Sequence, residues 1–124
     1  MEDIRFSDMM KMQLALHEKH QHWEPLVPKN ARNMILWMID ELGEAIAIIK
    51  KRGDSEIMDN PETRNHFVEE LSDVLMYFND MLLSYNITPD EISQAYIQKH
   101  KKNMKRDYIE ESNNLFAAGK TKET

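Results

Sequence analysis

The chain has 124 residues, 41% hydrophobic and 31% charged, with no cysteine and a net charge of −6. Such values fit one domain with a real core and exclude disulfides and thiolate metal sites. The acidic balance argues against nucleic-acid binding, and no apolar run approaches the ~20 residues of a bilayer span. The N-terminus carries acids and lacks the apolar centre of a signal peptide, so a cytoplasmic protein with no membrane partner is expected.

Three Gly and four Pro are too few for a turn-rich all-β fold, and ten Met suit adaptable helix contacts. Four helices are predicted. The first runs from about Asp8 to Gln21 with Ser7 as N-cap. Pro25 and Pro28 then break the chain around Trp23. The second helix covers about Lys29 to Lys51. Lys50, Lys51 and Arg52 complement its negative end, and Gly53 caps it. Asp54 to Asp59 reads as a polar connection. The third helix starts at Asn60-Pro61-Glu62, where Asn caps and Pro takes the first helical position, and it ends near Asn86. The fourth starts at Thr88-Pro89-Asp90-Glu91, a capping box, and runs past Arg106. Residues from about 115 to 124 read as a frayed polar tail. The whole is an all-α single domain, an antiparallel four-helix bundle-like protomer.

Two carboxylate pairs stand inside the apolar patterns of the second and third helices: Glu41-x-x-Glu44 and Glu70-x-x-Asp73, with 25 residues between them. A helix turns about 100° per residue, so acids three apart share a face. Of the six residues nearest Glu41 on that face, five are apolar: Met34, Trp37, Met38, Ala45 and Ile48. Asp40 lies off the face. Around Glu70 and Asp73 stand Phe67, Val74, Tyr77 and Met81, with His66 nearby. Helices joined by a short link pack antiparallel, which brings the pairs level. Burying unpaired carboxylates costs several kcal/mol. A hard divalent cation offsets that cost, and oxygen-only ligation favours Mg²⁺, with Mn²⁺ as the alternative. A solvated acidic face and salt bridges to the fourth helix are the competing readings. A di-iron centre is disfavoured because no Glu has a His three residues later.

On the fourth helix Lys99, Asn103 and Arg106 recur at i, i+4 and i+7. They form either a row that holds phosphate oxygens or a solvated basic face. His17 and His20 share a face, but no further zinc ligand accompanies them. Trp23 either covers the bundle end or stacks on a base, with His22 and Asn33 as weaker candidates for base or sugar contact.

The stretches Ile39-Asp40-Glu41-Leu42-Gly43-Glu44-Ala45 and Val68-Glu69-Glu70-Leu71-Ser72-Asp73-Val74-Leu75 resemble the all-α nucleoside triphosphate pyrophosphohydrolases. These include the MazG-like proteins, dimeric dUTPases and dCTP pyrophosphatases. Tyr96-x-x-Lys99-His100-x-x-Asn103-x-x-Arg106 is similar to that family's phosphate-contacting helix, and the resemblance spans about residues 20 to 108. One departure is Asp40, where MazG proteins often carry Glu. The resemblance implies a Mg²⁺-dependent enzyme with Glu41, Glu44, Glu70 and Asp73 as ligands and catalytic groups. It implies cleavage of a nucleoside triphosphate to the monophosphate and pyrophosphate, in a homodimer or homotetramer. Two rivals remain: a helical interaction protein that docks partners on Met-rich faces, and a nucleotide sensor without turnover.

Overall fold

The computed structural model describes residues 1–122. Among them the chain forms six helices and no strand, so the fold is all-α. The helices are α1 (Phe6–Lys19), α2 (Pro28–Arg52), α3 (Asp54–Asp59), α4 (Pro61–Ser84), α5 (Pro89–Lys105) and α6 (Tyr108–Lys122). They fall into two compact units, α1–α4 up to Pro89 and α5–α6 from Asp90 onward. None of the described helices is long and apolar enough to cross a membrane.

In the first unit α4 is the hub: α2 packs along it, and α1 and α3 pack on it too. Early α2 residues meet late α4 residues, and the reverse, because Met34 and Trp37 share a cavity with Met76 and Asp80 while Lys51 shares one with Asn60. The two helices are therefore antiparallel. The buried stripe of α2 reads Ala31, Met34, Ala45 and Ile48, with half-buried Met38 and Glu41 at the same spacing. Glu41 thus holds a core position, flanked on its own helix by hydrocarbon.

Local chemistry sets the helix ends. Pro28 and Pro61 take first-turn positions in α2 and α4. Asn60 Oδ1 accepts from the backbone N–H groups of Glu62 (3.0 Å) and Thr63 (3.4 Å). Asn60→Ala removes that cap and is expected to cost about 1 kcal/mol in denaturant unfolding; an unchanged midpoint would refute the assignment. The end of α4 is a Schellman motif. Asn86 stands at φ 56° and donates to Leu83, while Ile87 donates to Leu82. Gly53 closes α2 at φ 82°, in a region that L side chains rarely enter.

Three local readings change. The helix α1 begins at Phe6 rather than Asp8, because the Asp8 carboxylate accepts from the Arg5 backbone N–H (2.9 Å) and draws the start back past Ser7. The polar connection after Gly53 is a short helix, α3, seated by buried Ile57. Finally the predicted fourth helix stops at Lys105, short of Arg106, and after a break at residues 106–107 a separate helix, α6, runs through Leu115 to Lys122, where the sequence points to a tail; residues 123 and 124 of that tail lie outside the described residues.

Candidate metal centre

One carboxylate oxygen from each of Glu41, Glu44 and Glu70 lies within 4.8 Å of the others. Glu41 and Glu44 come from adjacent turns of α2, and Glu70 faces them from α4. The surroundings grade from dry to wet: Glu41 and Glu70 are half-buried and Glu44 is exposed. Glu41 Oε2 and Glu70 Oε2 are buried without a hydrogen-bond partner. A buried carboxylate oxygen with no donor costs free energy that a cation or proton must offset.

The three carboxyls of the cluster shift in different directions. Glu41 is pushed up to about 7, first by burial, then by its hydrogen bond with Glu70 and by the charges of Glu44 and Asp73. Glu44 is raised mainly by its hydrogen bond with Glu70 and by the Glu70 charge. Glu70 moves the other way: the hydrogen bond from Glu44 holds it below the usual carboxylate range, against the effect of burial. Glu41 and Glu44 thus hold their protons more tightly than ordinary carboxyls, and Glu70 holds its proton less tightly. A divalent cation would replace those protons, since hard cations take carboxylate oxygens in their ionised form. The donor set is all oxygen, two members have orphaned atoms, and repulsion already raises two acids, so the residues fit such an ion.

His66 Nε2 lies 3.3 Å from Glu70 Oε1, a one-turn contact with the imidazole mostly in solvent. Asp73 is half-buried one turn beyond Glu70 but outside the 4.8 Å group. Its charge reaches Glu41 and Glu44, and it lines a neighbouring cavity with Glu41. The structure thus gathers three of the four candidate acids and sets the fourth beside them. Asp40 is exposed.

That neighbouring cavity, about 480 Å³, is walled by Trp23, Trp37 and Tyr77, with His17 and Asp80 also in its lining. The Trp23 ring stacks on His20 (4.5 Å, 20°) and meets His17 edge-on (5.1 Å). Asp80 is 4% exposed. Its Oδ1 accepts from Gln13 Nε2 (2.8 Å), and its Oδ2 lies 3.3 Å from His17 Nε2 without hydrogen-bond geometry. Burial pushes the Asp80 carboxyl up, while Gln13 and His17 oppose the rise. Burial also pushes the Tyr77 hydroxyl up, aided by Glu41 and Asp80.

The other candidates are placed as follows. His22 is exposed, its ring 6.3 Å from Trp23 and outside the cavity lining. Asn33 is set back: its Nδ2 donates to Glu24 Oε2 (2.9 Å), and Glu24 lines the cavity. In the second unit Lys99 is exposed on α5, and Asn103 Oδ1 accepts from Arg106 Nη1 at 3.5 Å. Arg106 also pairs with Glu111 at 2.8 Å. Trp37, Tyr77, Asp80, Gln13 and His17 were absent from the sequence-based site. Trp37 precedes Glu41 by four residues and Tyr77 follows Asp73 by four, so helical spacing placed both on the acid-bearing faces. Asp80, seven residues after Asp73, was on that face too. No protein-family model, curated protein or solved structure matches the chain.

Proposed function

We propose that this protein is a Mg²⁺-dependent nucleoside triphosphate pyrophosphohydrolase of the all-α superfamily, releasing a nucleoside monophosphate and pyrophosphate in a cytoplasmic nucleotide pool. The observation that carries the reading is the triad of Glu41, Glu44 and Glu70, with two orphaned buried oxygens, one member of which, Glu41, also lines an aromatic cavity. Glu41, Glu44 and Glu70 would hold the ion, and Asp73 would join them by a side-chain rotation. Bound Mg²⁺, or Mn²⁺ in its place, would supply charge neutralisation and Lewis-acid polarisation at the α-phosphoryl group.

The protein's own groups do the rest. Glu41 or Glu44 orients the attacking water and takes its proton. Trp23, Trp37 and Tyr77 offer flat apolar surface to a base, a contact that tolerates any π-face. Asp80 and Gln13 place polar atoms against the base edge. His22 and Asn33 support the nucleoside wall. Exposed Ile39, Leu42, Ile46, Leu71 and Leu75 on α2 and α4 support self-association as a homodimer or homotetramer.

The test is a panel of canonical and modified nucleoside triphosphates with MgCl₂, products identified by mass. Monophosphate and pyrophosphate from at least one substrate are expected, with no turnover in EDTA. Calorimetry separates this reading from an interaction protein, because the latter binds no nucleotide. A panel with neither metal-dependent binding nor turnover would sink the proposal.

A further inference from the structure

A second groove, about 580 Å³, leaves the acids in the opposite direction along α2 and α4. The aromatic cavity uses early α2 and late α4 residues, from Met34 to Glu41 and from Asp73 to Asp80. The second groove uses late α2 and early α4 residues: Glu44 to Arg52, and Asn60 to Glu70. The acids therefore stand between two depressions of different chemistry. One is aromatic. The other carries Lys51 and Arg52 at its far end, with the polar side chains of Asn60, Thr63 and His66 along α4.

We propose that this second groove takes the terminal phosphates of the substrate, with Lys51 as the residue that binds them and holds the departing pyrophosphate. The inference rests on the triphosphate reading above and gives it a direction: nucleoside toward α1, phosphate chain toward α3.

The helix geometry favours Lys51. It follows Glu44 by seven residues, so both lie on one face about 10 Å apart along the axis. Side chains on a helix lean toward its N-terminus, so Lys51 leans back over Ala47 toward Glu44. Ala47, in the same lining, is too small to block that path. Arg52 is already engaged, its Nη1 3.8 Å from Glu56 Oε1. Lys51 has no ion pair among the described residues.

Besides Glu44 and Glu70 of the triad, two acids of the groove oppose an anion. Glu56 is tied down by Thr63 Oγ1 (2.9 Å) and Asn60 Nδ2 (3.4 Å), besides Arg52. Glu62 is exposed at the rim. On hydrolysis water oxygen bonds to the α-phosphorus, the bond to the α–β bridging oxygen breaks, and pyrophosphate leaves with that oxygen. The water proton passes to the carboxylates and then to solvent. Lys51 would neutralise the charge that builds on the leaving group.

The experiment titrates sodium pyrophosphate into the full chain with MgCl₂, using wild type, Lys51→Met and the adjacent control Lys50→Met. Lys51 is exposed, so its replacement leaves the core untouched. Loss of one charge-assisted contact should weaken pyrophosphate binding about ten-fold in Lys51→Met. Lys50→Met should match wild type. In turnover, kcat/KM for a nucleoside triphosphate should fall about ten-fold in Lys51→Met, while that for the diphosphate is unchanged. Equal pyrophosphate affinity in wild type and Lys51→Met overturns the inference, as does absent binding to wild type or an equal loss with both substrates. Normal wild-type hydrolysis with an unaffected Lys51→Met variant refutes only the groove assignment. A wild type that ignores nucleotides refutes the functional reading, whatever pyrophosphate does.

Discussion

Glu70→Gln is expected to lower pyrophosphate release by at least about a hundred-fold, the scale on which removing one charge-stabilising group acts. Glu70 is the single acid that α4 contributes to the triad, and the one kept ionised by its neighbours. Gln keeps the shape but loses the charge that holds a cation. The same change should not harm the fold. Its amide can donate to the carboxylates of Glu41 or Glu44, which relieves repulsion inside a half-dry site. His66 loses a partner, but its ring stands mostly in solvent and the pair is worth little. The metal-free variant should therefore melt at or above the wild-type temperature, the trade of stability against function expected of a binding site. Retained pyrophosphate release in a folded Glu70→Gln protein would remove the mechanism.

The second expected result is a pH dependence of the metal-free protein that runs against the usual acid-denaturation trend. The Glu41 carboxyl has its ordinary value of 4.5 in the unfolded chain and about 7 in the folded one. Below 4.5 both states hold the proton, and this group costs nothing. As pH rises toward 7 the folded state keeps a proton that the unfolded state has lost, so stability falls across that window and then levels off. The solvent edge of the site reduces the effect to about 1 kcal/mol, and the downward shift of Glu70 acts only below pH 4.5, outside this window. That corresponds to a drop of about 4 °C in melting temperature between pH 4.5 and pH 7.5 in EDTA. The quantity to read is the difference between wild type and Glu41→Gln. Saturating MgCl₂ should reverse the drop, because ligand at a hundred times its Kd adds about 2.7 kcal/mol. A flat difference profile, or melting curves indifferent to Mg²⁺, would contradict the assignment.

Much of the fold was legible because the breaks are chemically explicit. Asn60-Pro61-Glu62 can begin a helix in one way only, and Gly53 and Asn86 mark backbone that most residues avoid. The α3 segment was not legible. Its six residues seat one side chain, Ile57, and a single buried residue has no period. The start of α1 turned on whether Ser7 or Asp8 serves the first turn, a choice that depends on one hydrogen bond to Arg5.

The site divides along similar lines. Spacing placed the acids on facing stripes, but it could not say which turns of two antiparallel helices come level. That register is why Glu70 meets Glu41 and Glu44 while Asp73 stands aside. The aromatic wall was hidden for another reason. An aromatic residue four positions from an acid looks the same on a helical wheel whether it fills a core or walls a cavity. Trp37, 48% exposed, does the second.

The buried hydrogen bond from Gln13 to Asp80 joins α1 to α4 across 67 residues of sequence. Through it α1, which packs on α4 within the first unit, supplies one flank of the aromatic cavity, whereas the carboxylate triad belongs to α2 and α4 alone. In the proposed function α1 would shape one flank of the base-facing wall without contributing to the groups that hold the ion. Drift in the first twenty residues would then be expected to retune which base is accepted while leaving the ion-holding acids in place.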